Sequence, residues 1–269
     1  MAIMALHAAA SGMRALDEKL NVVANNLANI NTVGFKRQRV NFEDLLYQVK
    51  REPGIPNADD EPIPHGILVG TGVKVSGTQT NFGQGAVLPT DKPLDLQIEG
   101  DGFFQVRTIQ DGTEVLAYTR AGNFVRNAEG NIVLGNSGGA ILEPNINVPA
   151  DAIEIEIGRN GEVRVRQQGA STLNTIGQIE LARFVNNEGL KQIGRNLFVE
   201  TDASGVPLIG PPQTDGLGSI QQGMLEQSNV DPVRELIDLI TTQRAFELNS
   251  QSIQSADESL QIVSNLRRL

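Results

Sequence analysis

The chain contains no cysteine and no tryptophan, and it has only two histidines, His7 and His65. Disulfides, thiolate nucleophiles and Cys/His zinc sites are therefore excluded. Neither histidine sits in a pattern that suggests a catalytic triad. Aromatics make up 4% of the residues while glycine occurs 28 times, which predicts many turns and polar packing layers rather than a dense aromatic core. No stretch approaches the roughly 18 consecutive apolar residues of a membrane-spanning helix, so no membrane insertion is expected. Met1 to Met13 is apolar, but it lacks a basic leader and His7 interrupts it, so a cleaved signal is not expected. The formal net charge of −10 argues against a general nucleic-acid binder. Gly100-Asp101-Gly102 and Gly70-Thr71-Gly72 precede no helical pattern, which a phosphate cradle requires. The strand carboxylates alternate with isoleucine as a solvated face would. No enzyme, cofactor or metal site is expected.

What the chain does have is helical periodicity at both ends. Leu6, Met13, Leu20 and Leu27 form one row seven apart, and Ala9, Leu16, Val23 and Ile30 form a second, offset by three. That is the a/d spacing of a helix lying along another helix. The row stops at Asn29-Ile30-Asn31-Thr32-Val33-Gly34, a run of capping and turn residues. Helical periodicity returns at Asp231, an N-cap followed by Pro232 at the first helical position. Val233, Leu236, Ile237 and Ile240 form one stripe; Phe246, Ile253, Ala256, Leu260 and Val263 form the next. Residues 1–40 carry five bases against two acids, and residues 226–269 seven acids against four bases, which favours pairing the ends, though screened charges contribute little. The C-terminal helix also has a broad uncharged polar face, including Gln243, Gln251 and Gln254.

Between the ends the period changes to two. Leu94, Leu96 and Ile98 alternate, as do Ile153, Ile155 and Ile157, then Val163 and Val165 beyond Arg159-Asn160-Gly161. Asn-Gly between alternating runs is a hairpin signal, with a type I′ turn expected there. Residues 51–66 hold Pro53, Pro56, Pro62, Pro64 and four acids, which predicts an extended, stiff segment. The expected organisation is an N-terminal helical half (1–40), an extended proline-rich arm (41–75), an antiparallel β domain (76–215), and a linker with the C-terminal helical half (216–269). The fold class expected is α+β: long terminal helices forming a coiled-coil α domain, with an inserted antiparallel all-β domain.

Asn25-Asn26-Leu27-Ala28-Asn29 with Thr32, Gly34, Phe35 and Lys36, the central LDLQIEGDGFFQV (94–106), and Ser228-Asn229-Val230-Asp231 with Gln243-Arg244-Ala245-Phe246-Glu247 and Ala256-Asp257-Glu258 together resemble the bacterial flagellar rod and hook proteins. The resemblance runs the length of the chain in order. Residues 42–48 (FEDLLYQ), Gly70-Thr71-Gly72-Val73 and the proline-rich segment are most similar to the distal rod members. A proximal rod or hook-basal-body paralogue, or a discrete coiled-coil adaptor, are the alternatives. The resemblance implies a structural subunit that is exported by the flagellar type III apparatus and polymerises into a hollow, rigid helical drive shaft. It further implies contacts with itself, with proximal rod and hook proteins, and with the surrounding P and L rings, in the basal body between periplasm and outer membrane. The two helical seams (Leu6, Met13, Leu16, Leu20, Val23, Leu27, Ile30; and Val233 through Val263 as above) are the expected assembly interfaces. Gln243, Gln251 and Gln254 are expected to face the export channel. The proline-rich arm is expected to bridge subunits.

Overall fold

A computed structural model describes residues 2–54, 65–110, 112–169 and 172–266. Among them are two α-helices, α1 (Ala2–Ala28) and α2 (Pro232–Leu266), and twenty short strands. Every strand pair with a determined register is antiparallel. The chain divides into two compact units. One comprises α1, Gln38–Gln79 and α2; the other comprises Asn29–Arg37 and Thr80–Val230.

This corrects the expected fold class. The molecule is predominantly antiparallel β with two helices, and its terminal segments do not form a coiled-coil α domain. The two helices share their unit with four strands: Gln38–Asp44 pairs with Val73–Thr80, and Tyr47–Arg51 with Ile67–Gly70. Residues 41–75, expected as a linker, therefore carry much of the unit's β structure. The helices pack antiparallel, with Asn26 beside Glu235 and Gly12 beside Asn249. The face of α2 turned inward holds Glu235 and Thr242, both buried, together with Asn249. A coiled coil wants an unbroken apolar seam there. In α1 the deepest side chains are Ala15, Val23 and Asn26, so small and polar residues set the contact. Ser11 ties α1 to the strands, its hydroxyl accepting from the Val73 N–H at 3.2 Å. Asp231 caps α2, its carboxylate accepting from the Val233 N–H at 3.0 Å, which satisfies one of the orphan donors of a helix start.

The second unit is built on a nine-stranded sheet. Thr113–Thr119 and Phe103–Gln110 run through its centre. Ile141–Glu143 and Leu181–Arg183 both pair with the free side of Phe103–Gln110, and Leu208–Gly210 pairs with Leu181–Arg183. Because strand side chains alternate faces, adjacent Phe103 and Phe104 enter different cores. Phe104 joins Leu96, Val106, Leu142 and Ile179 in the main one. Phe103 joins Tyr118, Phe184 and Phe198 in a smaller aromatic cluster, with rings meeting edge to face. A three-stranded sheet, Ala152–Ile157, Glu162–Gln167 and Asn174–Gln178, contributes Ile157, Val163 and Val165 to the main core. A bulge between Ala152 and Glu154 turns Ile153 outward, breaking the expected isoleucine face. In the 158–161 turn only Gly161 has positive φ; the two consecutive left-handed residues of a type I′ turn are Arg195 and Asn196 (φ 56° and 58°), between Lys191–Gly194 and Leu197–Val199.

Tyr118 is buried, and burial, seconded by the Glu200 charge, pushes its phenol from 10.0 up to about 12. Between those values the folded state holds a proton that the unfolded chain has released, so the stabilisation present below pH 10 drains away as pH climbs through the folded value. The loss amounts to about 2–3 kcal/mol. Urea melts at about pH 9 and about pH 11.5 should show this loss, and Tyr118→Phe should remove that part of it.

Candidate functional site

Three segments far apart in sequence meet at one buried cluster of charge in the β unit. The first is the turn after residue 29. Thr32 donates its N–H to the Asn29 carbonyl and Phe35 to that of Thr32, and Gly34 takes φ 70°. This delivers Lys36 inward, where its ammonium lies 2.6 Å from Glu226 Oε1 and donates to the Gly83 carbonyl at 2.8 Å. The second is strand Met224–Glu226, paired with Val87–Pro89. Glu226 also accepts from the Gly85 N–H at 2.8 Å, and its Oε2 stands 3.5 Å from Arg120 Nη1. The third is the Gly100-Asp101-Gly102-Phe103 turn. Arg120 Nη2 donates to the Gly100 carbonyl at 2.8 Å, and the guanidinium sits 5.3 Å over the Phe103 ring.

Lys36, Arg120 and Glu226 are all buried. Burial holds the Lys36 ammonium below its usual range despite the opposing Glu226 charge, and the same desolvation lowers Arg120. Two buried cations share one carboxylate, and the three side chains bond the Gly83 and Gly100 carbonyls and the Gly85 N–H, so the cluster fixes backbone. The backbone confirms the stitching. Gly34 N–H donates to the Glu226 carbonyl at 2.8 Å, Asn229 Oδ1 accepts from Arg37 N–H at 2.7 Å, and Asn229 Nδ2 donates to the Asn81 and Gly83 carbonyls at 2.9 Å each. A parallel device operates in the helical unit. Buried Asn26 exchanges two hydrogen bonds with the Gln38 backbone, at 3.0 and 2.8 Å, and donates to Glu235 Oε2 at 3.1 Å.

Of the expected N-terminal motif, Asn26, Gly34, Phe35 and Lys36 are buried, Leu27 and Asn29 half-buried, and Asn25 and Ala28 exposed. Leu6, Met13, Leu16, Leu20 and Ile30 are half-buried, as are Phe246, Ile253, Ala256 and Leu260. The first stripe of α2, expected as part of the assembly interface, lies off the contact with α1: Val233, Leu236, Ile237 and Ile240 are 62%, 46%, 55% and 50% exposed. Glu235, Leu239 and Thr242 occupy that contact. Gln243, Gln251 and Gln254 are exposed, as is Pro53. Pro56, Pro62 and Pro64, and the Val263 side chain, lie outside the described residues. Sequence reading missed Arg120, Glu226 and Glu235. A lone charge beside apolar neighbours, as in Met224-Leu225-Glu226, was the available signal, and it is faint.

The three converging segments coincide with three family models. The model described as flagella basal body rod protein matches residues 6–36, the flagellar hook protein FlgE/F/G D1 domain matches 97–165, and the flagellar basal body rod FlgEFG protein C-terminal matches 221–266. The flagellar basal-body rod protein FlgG of Agrobacterium fabrum is 46% identical over 261 residues, covering 97% of this chain and 98% of that one. The chain belongs to the flagellar basal-body rod protein FlgG family. The FlgG of Caulobacter vibrioides is 45% identical over 266 residues (98% of this chain, 100% of its own). The flagellar hook-basal body complex protein FlhP of Bacillus subtilis is only 29% identical over 272 residues, at 96% and 97% coverage, so the paralogue alternative is not favoured. Within the β unit, Lys36, Arg120 and Glu226 tie together the parts of the three matched segments that lie in that unit.

Proposed function

We propose that this chain is a structural subunit of the flagellar basal-body rod, in its distal part, and that it works by polymerising. Membership of the rod protein family supports the reading. The observation that carries it is the stripe Val233, Leu236, Ile237 and Ile240, left exposed on one face of α2. Covering such a side chain is worth roughly 1.5–3 kcal/mol, and a contact that joins unlike surfaces of successive copies without closing builds a helical array. In that array the exposed Gln243, Gln251 and Gln254 would line the channel through which later subunits pass, and segment 51–66 would bridge neighbours on the way to proximal rod, hook and ring proteins.

Electron microscopy of the purified full chain tests this. Tubes are expected, with the α2 stripe between copies and the three glutamines toward the lumen. Ile237→Asp combined with Ile240→Asp should leave the chain folded and monomeric by sedimentation. A wild-type chain that stays discrete, as an adaptor would, or a double variant that still forms tubes, overturns the proposal.

A further inference from the structure

The sheet of the β unit is covered unevenly on the face opposite its main core. Phe103, Tyr118 and Phe184 close one half. Gln105 and Arg107 follow Phe103 at two-residue steps on that same face, across from Tyr118 and Leu116, and neither belongs to the aromatic cluster. A groove of about 370 Å³ runs there, with Leu116, Glu143, Glu180 and Ile209 in its walls. Leu116 and Ile209 are exposed apolar residues, and Ile209 belongs to Leu208–Gly210, which pairs only with Leu181–Arg183. Its other edge has no strand among the described residues, so it offers an open row of backbone donors and acceptors.

The polar groups of the groove are incompletely partnered. Arg107 is engaged by Glu143 at 3.0 Å and by Glu114 at 3.7 Å. Glu180 has no ion-pair partner among the described residues. Gln105 is only 4% exposed, yet among the described residues its side-chain amide has no hydrogen-bond partner although it lines the groove. The amide atoms are not fully enclosed, so they reach the groove and can take a partner from it. With three glutamates to one arginine, a cation is what the site lacks.

We infer that this groove is a docking site for an extended, arginine- or lysine-bearing segment of another protein, whose cation meets Glu180 and Gln105 while its apolar neighbours cover Leu116 and Ile209. Strand addition at the free edge would supply register, and the carboxylates specificity. A second copy of this chain is a poor occupant. The chain carries a net charge of −10, and Lys36 of its basic N-terminal motif is buried. The inference does not rest on polymerisation, since the groove and the α2 stripe belong to different units.

Fluorescence anisotropy with the full chain tests it, using as probe a labelled, end-capped pentapeptide of alternating valine and arginine. Saturable binding is expected, weakening with salt, and absent for the same peptide with glutamate replacing arginine. Glu180→Gln and Gln105→Leu should each weaken binding about fivefold without moving the urea midpoint by more than the scatter of replicate melts; Ile237→Asp should leave it unchanged. No binding, equal binding of the glutamate peptide, or undiminished binding by a folded Glu180→Gln chain overturns the proposal. So does sedimentation showing that the face joins two copies, with Glu180→Gln abolishing the dimer.

Discussion

Replacing Glu226 with alanine is expected to destabilise the β unit by about 3–5 kcal/mol, the usual cost of stranding a buried partner. The carboxylate is fully buried and is the shared counter-charge of Lys36 and Arg120, at 2.6 and 3.5 Å, and it accepts from the Gly85 N–H. Its removal leaves two desolvated cations. They respond differently, because a lysine can shed its proton whereas an arginine cannot. Burial already lowers Lys36, so the folded state releases that proton before the unfolded chain does at 10.5. Stability of Glu226→Ala should therefore rise with pH toward that value. Adding Lys36→Met should recover part of the loss, since one stranded charge disappears, whereas independent sites would simply add. Urea titration of the single and double variants at two pH values decides the matter. A Glu226→Ala chain as stable as wild type would show that the cluster is incidental to the fold.

Much of the β body was legible because its signals are local. Turn glycines, alternating runs and the Asp231-Pro232 start act through the backbone within a few residues, and Asp231 caps α2 as expected. What failed was long-range. Heptad spacing identifies apolar rows but not which row faces its own chain. In α2 the row holding Leu239 and Phe246 turns inward alongside Glu235 and Thr242, while Val233, Leu236, Ile237 and Ile240 turn out. That distinction depends on the partner surface, here the small and polar Ala15 and Asn26 of α1. Strands Gln38–Asp44 and Val73–Thr80 pair across about thirty residues that include the proline-rich segment, so no turn signal announced them.

The charge cluster was invisible for the same reason. Lys36, Arg120 and Glu226 are ordinary residues individually; only burial makes them unusual, and burial is a property of the folded chain. Family resemblance flagged Lys36 and Asn229 by position without showing what either touches. The structure supplies that for Lys36 and Asn229, which join segments within the β unit, whereas the two surfaces proposed for contact with other molecules, the α2 stripe and the Glu180 groove, lie apart from them.

If the motifs are junctions, backbone geometry should matter as much as charge, and Gly34 is the place to test it. Its φ is 70°, and an added Cβ would stand 2.6 Å from the Ala121 nitrogen and 2.7 Å from the Arg120 carbonyl carbon. Neither backbone atom can yield without moving Arg120 off Glu226. Gly34→Ala should therefore cost about 3 kcal/mol or more, combining left-handed strain with overpacking. Gly205→Ala in the same unit is the control. Its φ is 74°, but nothing lies within 4 Å of the added atom, so strain alone should cost about 1–2 kcal/mol. The difference between the two midpoints isolates the close approach. Hydrogen exchange should open at residues 29–37 in Gly34→Ala and not in Gly205→Ala, because only the former pulls Lys36 out of the cluster. Equal losses in the two variants would mean that the turn is strained but not wedged, and that the junction tolerates displacement.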